Sequence, residues 1–442
     1  MKLRLKRYYE NLVTSYWFVP GIMAIVSLFL VPFVLSLQSY KLIPDNPLFR
    51  SLVAIGPNGA RSILSTIASS SIGTASVVFS VSIVALSLTA SQFGPRLLKN
   101  FLAQNTAQFA YGTFIGTFLY SLLSLSVIPN TTADVRVPYL IVVVAIVLGA
   151  LSFGVLIYFI QYTVTFMQAS NVIHNTSSSL HKIFGELPDI NKGEHVAINI
   201  KKPKYTHHFN FLANRTGYVQ AIDYQRLIEI ADEHDCLMEI HIAPGDFLIY
   251  QQMVITIHSE QQGLDSEIRN NILEQIIVGR SKTATQDMQF AVEQIVEVAV
   301  RALSPGVNDP ITAINCIDQL SAALSLVAQK ELPGSTKLNS QGLLRLIVPK
   351  ISYDDLIRHC FNQIRQHGAT DSAVIIRLME TFECLLCIEL PDEMRTSLKQ
   401  HAKLVYDNCS QLTHDSDSQR VRNLYEAIQA RHKPVQKPDM AH

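Results

Sequence analysis

Four stretches of the chain carry no Asp, Glu, Lys or Arg: residues 11–40, 62–95, 100–133 and 137–181. A bilayer core asks for about 20 mostly apolar residues in a helix. Lipid cannot satisfy free backbone groups, so helices are the expected form. The pattern predicts spans near 16–37, 63–89, 107–128 and 138–166, all within a membrane domain over 1–170. The first span is too long for a signal-peptide core and is expected to stay in the mature chain.

The pattern then changes. Residues 171–194 are polar and read as a linker. From 195 to 260 apolar positions alternate, as in 196–200, 237–242 and 254–257, which predicts half-buried strands. A short helix is expected at 224–234, and Pro244-Gly245-Asp246 marks a tight turn. This β-rich module is expected to be barrel-like. From 264 to 432 the apolar spacing is helical, with helices near 284–303, 310–329, 353–367, 372–389, 393–413 and 418–431. Residues 433–442 are expected to be a flexible tail. The predicted fold is thus an α-helical membrane domain, a small β-rich module and a C-terminal helical domain.

Charge sharpens the division. The 442-residue chain is neutral overall, with 36 basic and 36 acidic residues and 16% charged. Residues 1–170 hold ten basic and three acidic residues. The remainder is net acidic. A disordered chain is excluded by the hydrophobicity, and a nucleic-acid partner is not expected without a basic footprint. Lys2, Arg4, Lys6 and Arg7 favour a cytoplasmic N-terminus, and Arg96 and Lys99 fall on the same side. Lys41, Arg50 and Arg61, placed in the first outer loop, oppose that orientation more weakly. Four spans then put both termini in the cytoplasm. All six cysteines lie beyond residue 235, without a disulfide-like framework. Cys384 and Cys387 form a CxxC in an apolar run and read as buried cysteines rather than zinc ligands.

The second span carries the first set of candidate residues. Ser65, Ser69, Gly73, Ser76, Ser80, Ser87 and Ser91 recur at helical intervals and form one small, weakly polar stripe. Small-residue stripes usually serve close helix packing. The alternative is a narrow wetted pore in an oligomer. The spans hold no charged group or histidine, which disfavours a proton-relay transporter. At the end of this span, Gln92, Phe93, Gly94, Pro95 and Arg96 form a membrane-interface motif. Gly94-Pro95 should stop the helix, and Arg96 can meet anionic headgroups.

The second set is the corner Arg301-Ala302-Leu303-Ser304-Pro305-Gly306-Val307-Asn308-Asp309-Pro310. Ser304, Pro305 and Gly306 end one helix. Asp309 suits an N-cap and Pro310 the first helical position. Capping chemistry explains most of these residues. The alternative is an anion held at the helix amino end with Arg301. His207 and His208 are adjacent, so on a strand they face opposite sides and make a poor chelating pair. No metal site, cofactor or catalytic residue is expected. Walker, HExxH, GxSxG and zinc-ligand patterns are absent.

Several segments carry a family resemblance. They include Ser69-Ser70-Ser71-Ile72-Gly73, Ser91-Gln92-Phe93-Gly94-Pro95-Arg96-Leu97-Leu98, Phe114-Ile115-Gly116-Thr117-Phe118, Gly217-Tyr218-Val219-Gln220-Ala221-Ile222-Asp223, Pro244-Gly245-Asp246-Phe247 and the run from Arg301 to Ala313. In these the chain resembles the bacterial predicted membrane proteins called domain of unknown function 2254. The resemblance implies a multi-span inner-membrane protein with a cytoplasmic C-terminal part, and no particular activity. The expected function is a homo-oligomeric, channel-like protein with a cytoplasmic regulatory domain. The alternative is a membrane-anchored sensor or scaffold. Expected partners are the bilayer, further copies of the chain, and a small ion or cytoplasmic ligand.

Overall fold

The structure is a computed structural model. It describes residues 17–39, 56–94, 105–129, 138–190, 205–261, 263, 266–283, 286–408, 412 and 414–431. The strand expected at 196–200, the N-terminal basic cluster, Pro95, Arg96, Lys99 and the tail at 433–442 lie outside the described residues. The chain divides into two compact units, Met1–Asn171 and Val172–His442.

The first unit contains α1 (Phe18–Ser39), α2 (Pro57–Phe93), α3 (Asn105–Val127) and α4 (Tyr139–Phe166). All four are long and apolar enough to cross a membrane. Helix α3 is the hub and packs against each of the others. Its buried face is polar in part, carrying Gln108, Thr113, Thr117, Ser121 and Ser124. Thr117 Oγ1 lies 3.0 Å from Ser152 Oγ of α4. Gly112 and Gly116 admit α1: a Cβ on Gly116 would stand 2.7 Å from Ser27 Oγ, and one on Gly112 would strike Met23. This GxxxG spacing lets two backbones approach where side chains would hold them apart.

Helix α2 packs through Ala60, Leu64, Ala68, Ser71, Ala75, Val78, Ser82, Ala85, Thr89 and Phe93, spaced three or four apart. Its first turns also hold Arg61, whose Nη1 donates to the carbonyls of Ile128 at 2.7 Å and Leu125 at 3.3 Å. A cation at the carbonyl end of a helix is favourable. Arg61 is therefore a capping residue of the bundle and not a loop charge. The sequence pattern misplaces it because the charge-free stretch starts the span at residue 63 rather than 57.

The second unit begins within the amphipathic helix α5 (Ala169–Gly185), which occupies much of the expected linker. Beyond it are two sheets. The larger has five strands in the order β1 (His207–Leu212), β5 (Met253–Ser259), β3 (Leu237–Ile240), β8 (Leu344–Ile347) and β7 (Thr336–Leu338). The smaller has the order β4 (Phe247–Leu248), β2 (Gly217–Ile222) and β6 (Ile276–Gly279). Helix α6 (Tyr224–Glu233) is capped by Asp223 and buries Leu227 and Ile230 in the sheet core with Met238, Ile240, Ile255 and Leu346.

Two expectations are corrected by these sheets. Among the described residues neither sheet closes, so the module is not a barrel. Nor is it separate from the chain beyond residue 264. β6, β7 and β8 come from the segment expected to be helical, and β8 pairs in parallel with β3. Arg345 on β8 fastens this junction: its Nε lies 2.8 Å from Asp232 in the last turn of α6, and its Nη1 lies 2.8 Å from Asp235 just beyond that helix.

The helical part comprises α7 (Ser266–Glu274), α8 (Met288–Ala302), α9 (Pro310–Val327), α10 (Tyr353–His367), α11 (Ser372–Leu386), α12 (Asp392–Asp407) and α13 (Asp415–Ala430). A capping box between Ser352 and Asp355 starts α10. Helix α9 is a fifth helix long and apolar enough to span a bilayer, where the sequence pattern predicts four. It packs against α8, α10 and α11, and its Asp318 binds Arg377 of α11 at 2.7 Å. Its apolar surface fills the core of the second unit.

Candidate functional site

The serine stripe of α2 has a definite geometry. Ser65, Ser69, Gly73, Ser76, Ser80, Ser87 and Ser91 are all exposed, on faces other than the alanine-rich one that packs. A Cβ built on Gly73 meets nothing. Among the described residues the stripe therefore does no packing within one chain. Four of its hydroxyls donate to their own helix: Ser69 to Thr66, Ser76 to Ile72, Ser80 to Ser76 and Ser91 to Leu88, at 2.8 to 3.2 Å. Such back-bonding satisfies the hydroxyl hydrogen without water. Around the stripe, Val77, Phe79, Ile83, Val84 and Leu88 are also exposed. This surface accepts lipid, another helix or a thin file of water without leaving these four donors unpaired.

Helix α2 ends at Gly94, where φ is 106° and the backbone N–H reaches the Ala90 carbonyl. Positive φ at a helix end is where glycine is favoured. Phe93 is buried and Gln92 exposed. These residues form the terminus of the longest helix in the unit.

The corner between α8 and α9 is held by its own groups. Ser304 Oγ donates to the Arg301 carbonyl at 2.6 Å, and Asn308 turns the chain with φ of 50°. Asp309 Oδ1 accepts from Thr312 N at 3.1 Å, and Oδ2 accepts from the Thr312 hydroxyl at 2.6 Å. Arg301 Nε lies 3.6 Å from Glu297. Pro310 fills the first helical position. The Asp309 carboxylate thus occupies the amino end of α9, where an incoming anion would meet like charge. Within the corner, Pro305, Gly306, Val307 and Asn308 are exposed, and just beyond it Ile311 is 70% exposed.

A buried carboxylate outside the sequence-predicted set lies at the start of α8. Asp287 is 4% exposed, and its Oδ1 caps the helix by accepting from Phe290 N at 2.9 Å. Its Oδ2 is buried with no partner and presses on Gly245, whose φ is 97°. Burial raises the Asp287 pKa, opposed by the Phe290 amide and by Lys282, which pairs with Glu293 at 3.0 Å. The nearby Gln220 amide donates to the Ser281 carbonyl, while its Oε1 is buried and unpaired. The available signal was an Asp three residues before Phe290 at the head of an apolar helix.

The cysteines divide. Cys236, Cys316 and Cys360 are buried, and burial pushes the Cys236 thiol up to about 12. Cys384 is exposed and Cys387 half-buried, which corrects the expectation that the CxxC pair is buried. The pair sits near the outer end of α11, where Arg431 and Glu383 meet. Among the described residues no group of three or more His, Cys, Asp or Glu side chains is arranged to hold a metal ion by itself.

Four long apolar helices in one unit, with α3 as a polar-faced hub, define a helical integral membrane protein. Comparison with known proteins narrows the class: the chain belongs to the domain of unknown function 2254 family of predicted membrane proteins, which it matches over residues 13–383. It is 26% identical over 329 residues to uncharacterised proteins of Mycobacterium bovis and Mycobacterium tuberculosis. The match covers 73% of this chain and 63% of theirs, so the chain spans less than two thirds of the length of these relatives. No solved structure matches it.

Proposed function

We propose that the protein is a homo-oligomeric, channel-like protein of the bacterial inner membrane, with the second unit as its cytoplasmic regulatory domain. The observation that carries this reading is the exposed stripe of α2 from Ser69 to Ser91. Small residues on an exposed membrane face usually meet another helix closely, and among the described residues of one chain this face meets none. A second surface is available to complete a ring. An apolar groove of about 480 Å³ runs along α4 between Val147 and Tyr158, floored by Ala150 and Gly154. Two different surfaces on each copy suit head-to-tail assembly, which gives a ring when the rotation between copies closes. The part of the stripe that the neighbour's α4 leaves uncovered would then face an axis, with no charged group to trap an ion.

The orientation in this reading keeps both termini cytoplasmic, following the N-terminal basic residues. The role is transport or regulation rather than catalysis. A second reading is a membrane-anchored sensor or scaffold, in which the stripe only packs. The back-bonded hydroxyls favour it, since they need no water.

Cysteine cross-linking tests the assembly. In a cysteine-free chain, Ser76→Cys combined with Gly154→Cys should yield a ladder of oxidised oligomers in membranes. Ion flux into vesicles should fall when Ser76 or Ser80 is replaced by Phe. Cross-linking without flux supports the scaffold reading, and absence of both sinks the oligomer.

A further inference from the structure

The larger sheet carries a polar cluster on its open face, across three neighbouring strands. His208 on β1 stands opposite His258 on β5, and β5 in turn pairs with β3, which bears Glu239. The two Nδ1 atoms are 2.7 Å apart, with the rings nearly perpendicular. His258 Nε2 lies 3.3 Å from Glu239 Oε2. In the next row His241 Nε2 meets the Thr256 hydroxyl at 2.8 Å, and Thr256 donates to Asn210 at 3.1 Å. His208 is exposed, so the pair is open to solvent.

Donor and acceptor bookkeeping restricts the tautomers. Glu239 is an acceptor, so His258 donates from Nε2 and keeps a lone pair on Nδ1. His208 must then donate from its own Nδ1 to make the short contact. If its proton moves to Nε2, two imidazole lone pairs converge on one point. A carboxylate behind a histidine, bonded to its far nitrogen, is the usual support for a metal-binding imidazole.

We infer that His208 and His258 form a two-histidine site for a first-row divalent transition ion, with Glu239 as its positioning residue. Imidazole nitrogen suits zinc, nickel and copper. Metal–nitrogen distances of about 2.0–2.1 Å place the two nitrogens about 2.9–3.4 Å apart at angles between square and tetrahedral. The rings need to part by a few tenths of an ångström and to turn, so that both Nδ1 lone pairs meet at one point instead of facing each other. The cross-strand register supplies the pairing that adjacent His207 and His208 cannot. Two protein ligands leave positions for water or a ligand oxygen.

The probe is Ni²⁺ added to the full chain in nanodiscs, purified on a tag without histidine. The chain has 14 histidines, so the reading is the difference between variants. His208→Gln and His258→Gln should each abolish the same single Ni²⁺ site. Glu239→Gln should keep the site with affinity lower by about 10–100-fold, as for outer-shell partners generally. Circular dichroism establishes that each variant is folded. His208 is exposed at the sheet surface, so its replacement tests binding even if the His258 variant unfolds. Unchanged Ni²⁺ stoichiometry and affinity in His208→Gln, or no Ni²⁺ uptake by the unaltered chain, overturns the assignment.

Discussion

Replacing Asp287 by asparagine separates two effects of one side chain. Oδ1 caps α8, while Oδ2 is a buried oxygen without a partner. Burial raises the carboxyl pKa, with Glu293 adding to the shift and the Phe290 amide and Lys282 opposing it. A raised folded value means that the fold prefers the neutral acid. Its contribution is fully present below the unfolded value near 3.9 and is lost as the pH rises through the folded value. Each unit of elevation corresponds to about 1.4 kcal/mol. Asparagine keeps the capping oxygen and carries no charge. Asp287→Asn should therefore match the unaltered chain near about pH 3 and become the more stable of the two by pH 7. Asp287→Ala loses the cap as well, which costs about 1 kcal/mol. At neutral pH it should fall below the asparagine variant by about that amount. The assay is hydrogen exchange at the α8 amides, including Phe290, together with thermal unfolding in nanodiscs across this pH range. An asparagine variant less stable than the unaltered chain at pH 7, or a difference that does not change with pH, refutes the reasoning.

The same geometry sets three further outcomes. Gly245→Ala places a Cβ against Asp287 at a positive φ and should cost more than about 1 kcal/mol, read as a lower unfolding temperature. Arg61→Met removes two charge-assisted hydrogen bonds to the end of α3 and should destabilise the membrane unit by about 2 kcal/mol in detergent titration. Arg345→Met removes the shared partner of Asp232 and Asp235, whose carboxylates reach water; denaturant unfolding should show only a small loss of stability, and that loss should shrink with added salt.

The four membrane helices were legible because lipid imposes a length and forbids charge, and both constraints are visible residue by residue. Helix α10 was legible to the residue because Ser352 and Asp355 make a capping box. The sheet was legible only in part. Alternation predicts that Leu237–Ile240 is a strand, but nothing in it names a partner, and its parallel neighbour β8 lies about a hundred residues away. The short strands Thr336–Leu338 and Leu344–Ile347 hold too few residues to show a period. In α2 two small-residue stripes compete. Serine periodicity draws attention to the free face, whereas the alanine face makes the contacts. Sequence spacing ranks neither, because which face packs depends on the rest of the bundle. Arg61 is misplaced and Asp287 passed over for a similar reason: the groups that bury them, the Ile128 carbonyl and Gly245, are distant in the chain.

Particle imaging of the full chain in nanodiscs tests the central proposal most directly. The account predicts a ring of copies with cyclic symmetry, the Ser69, Gly73, Ser76 and Ser80 face of α2 lying against a neighbouring copy or the axis. Single chains with that face surrounded by lipid contradict it, and would leave the second unit as the seat of function.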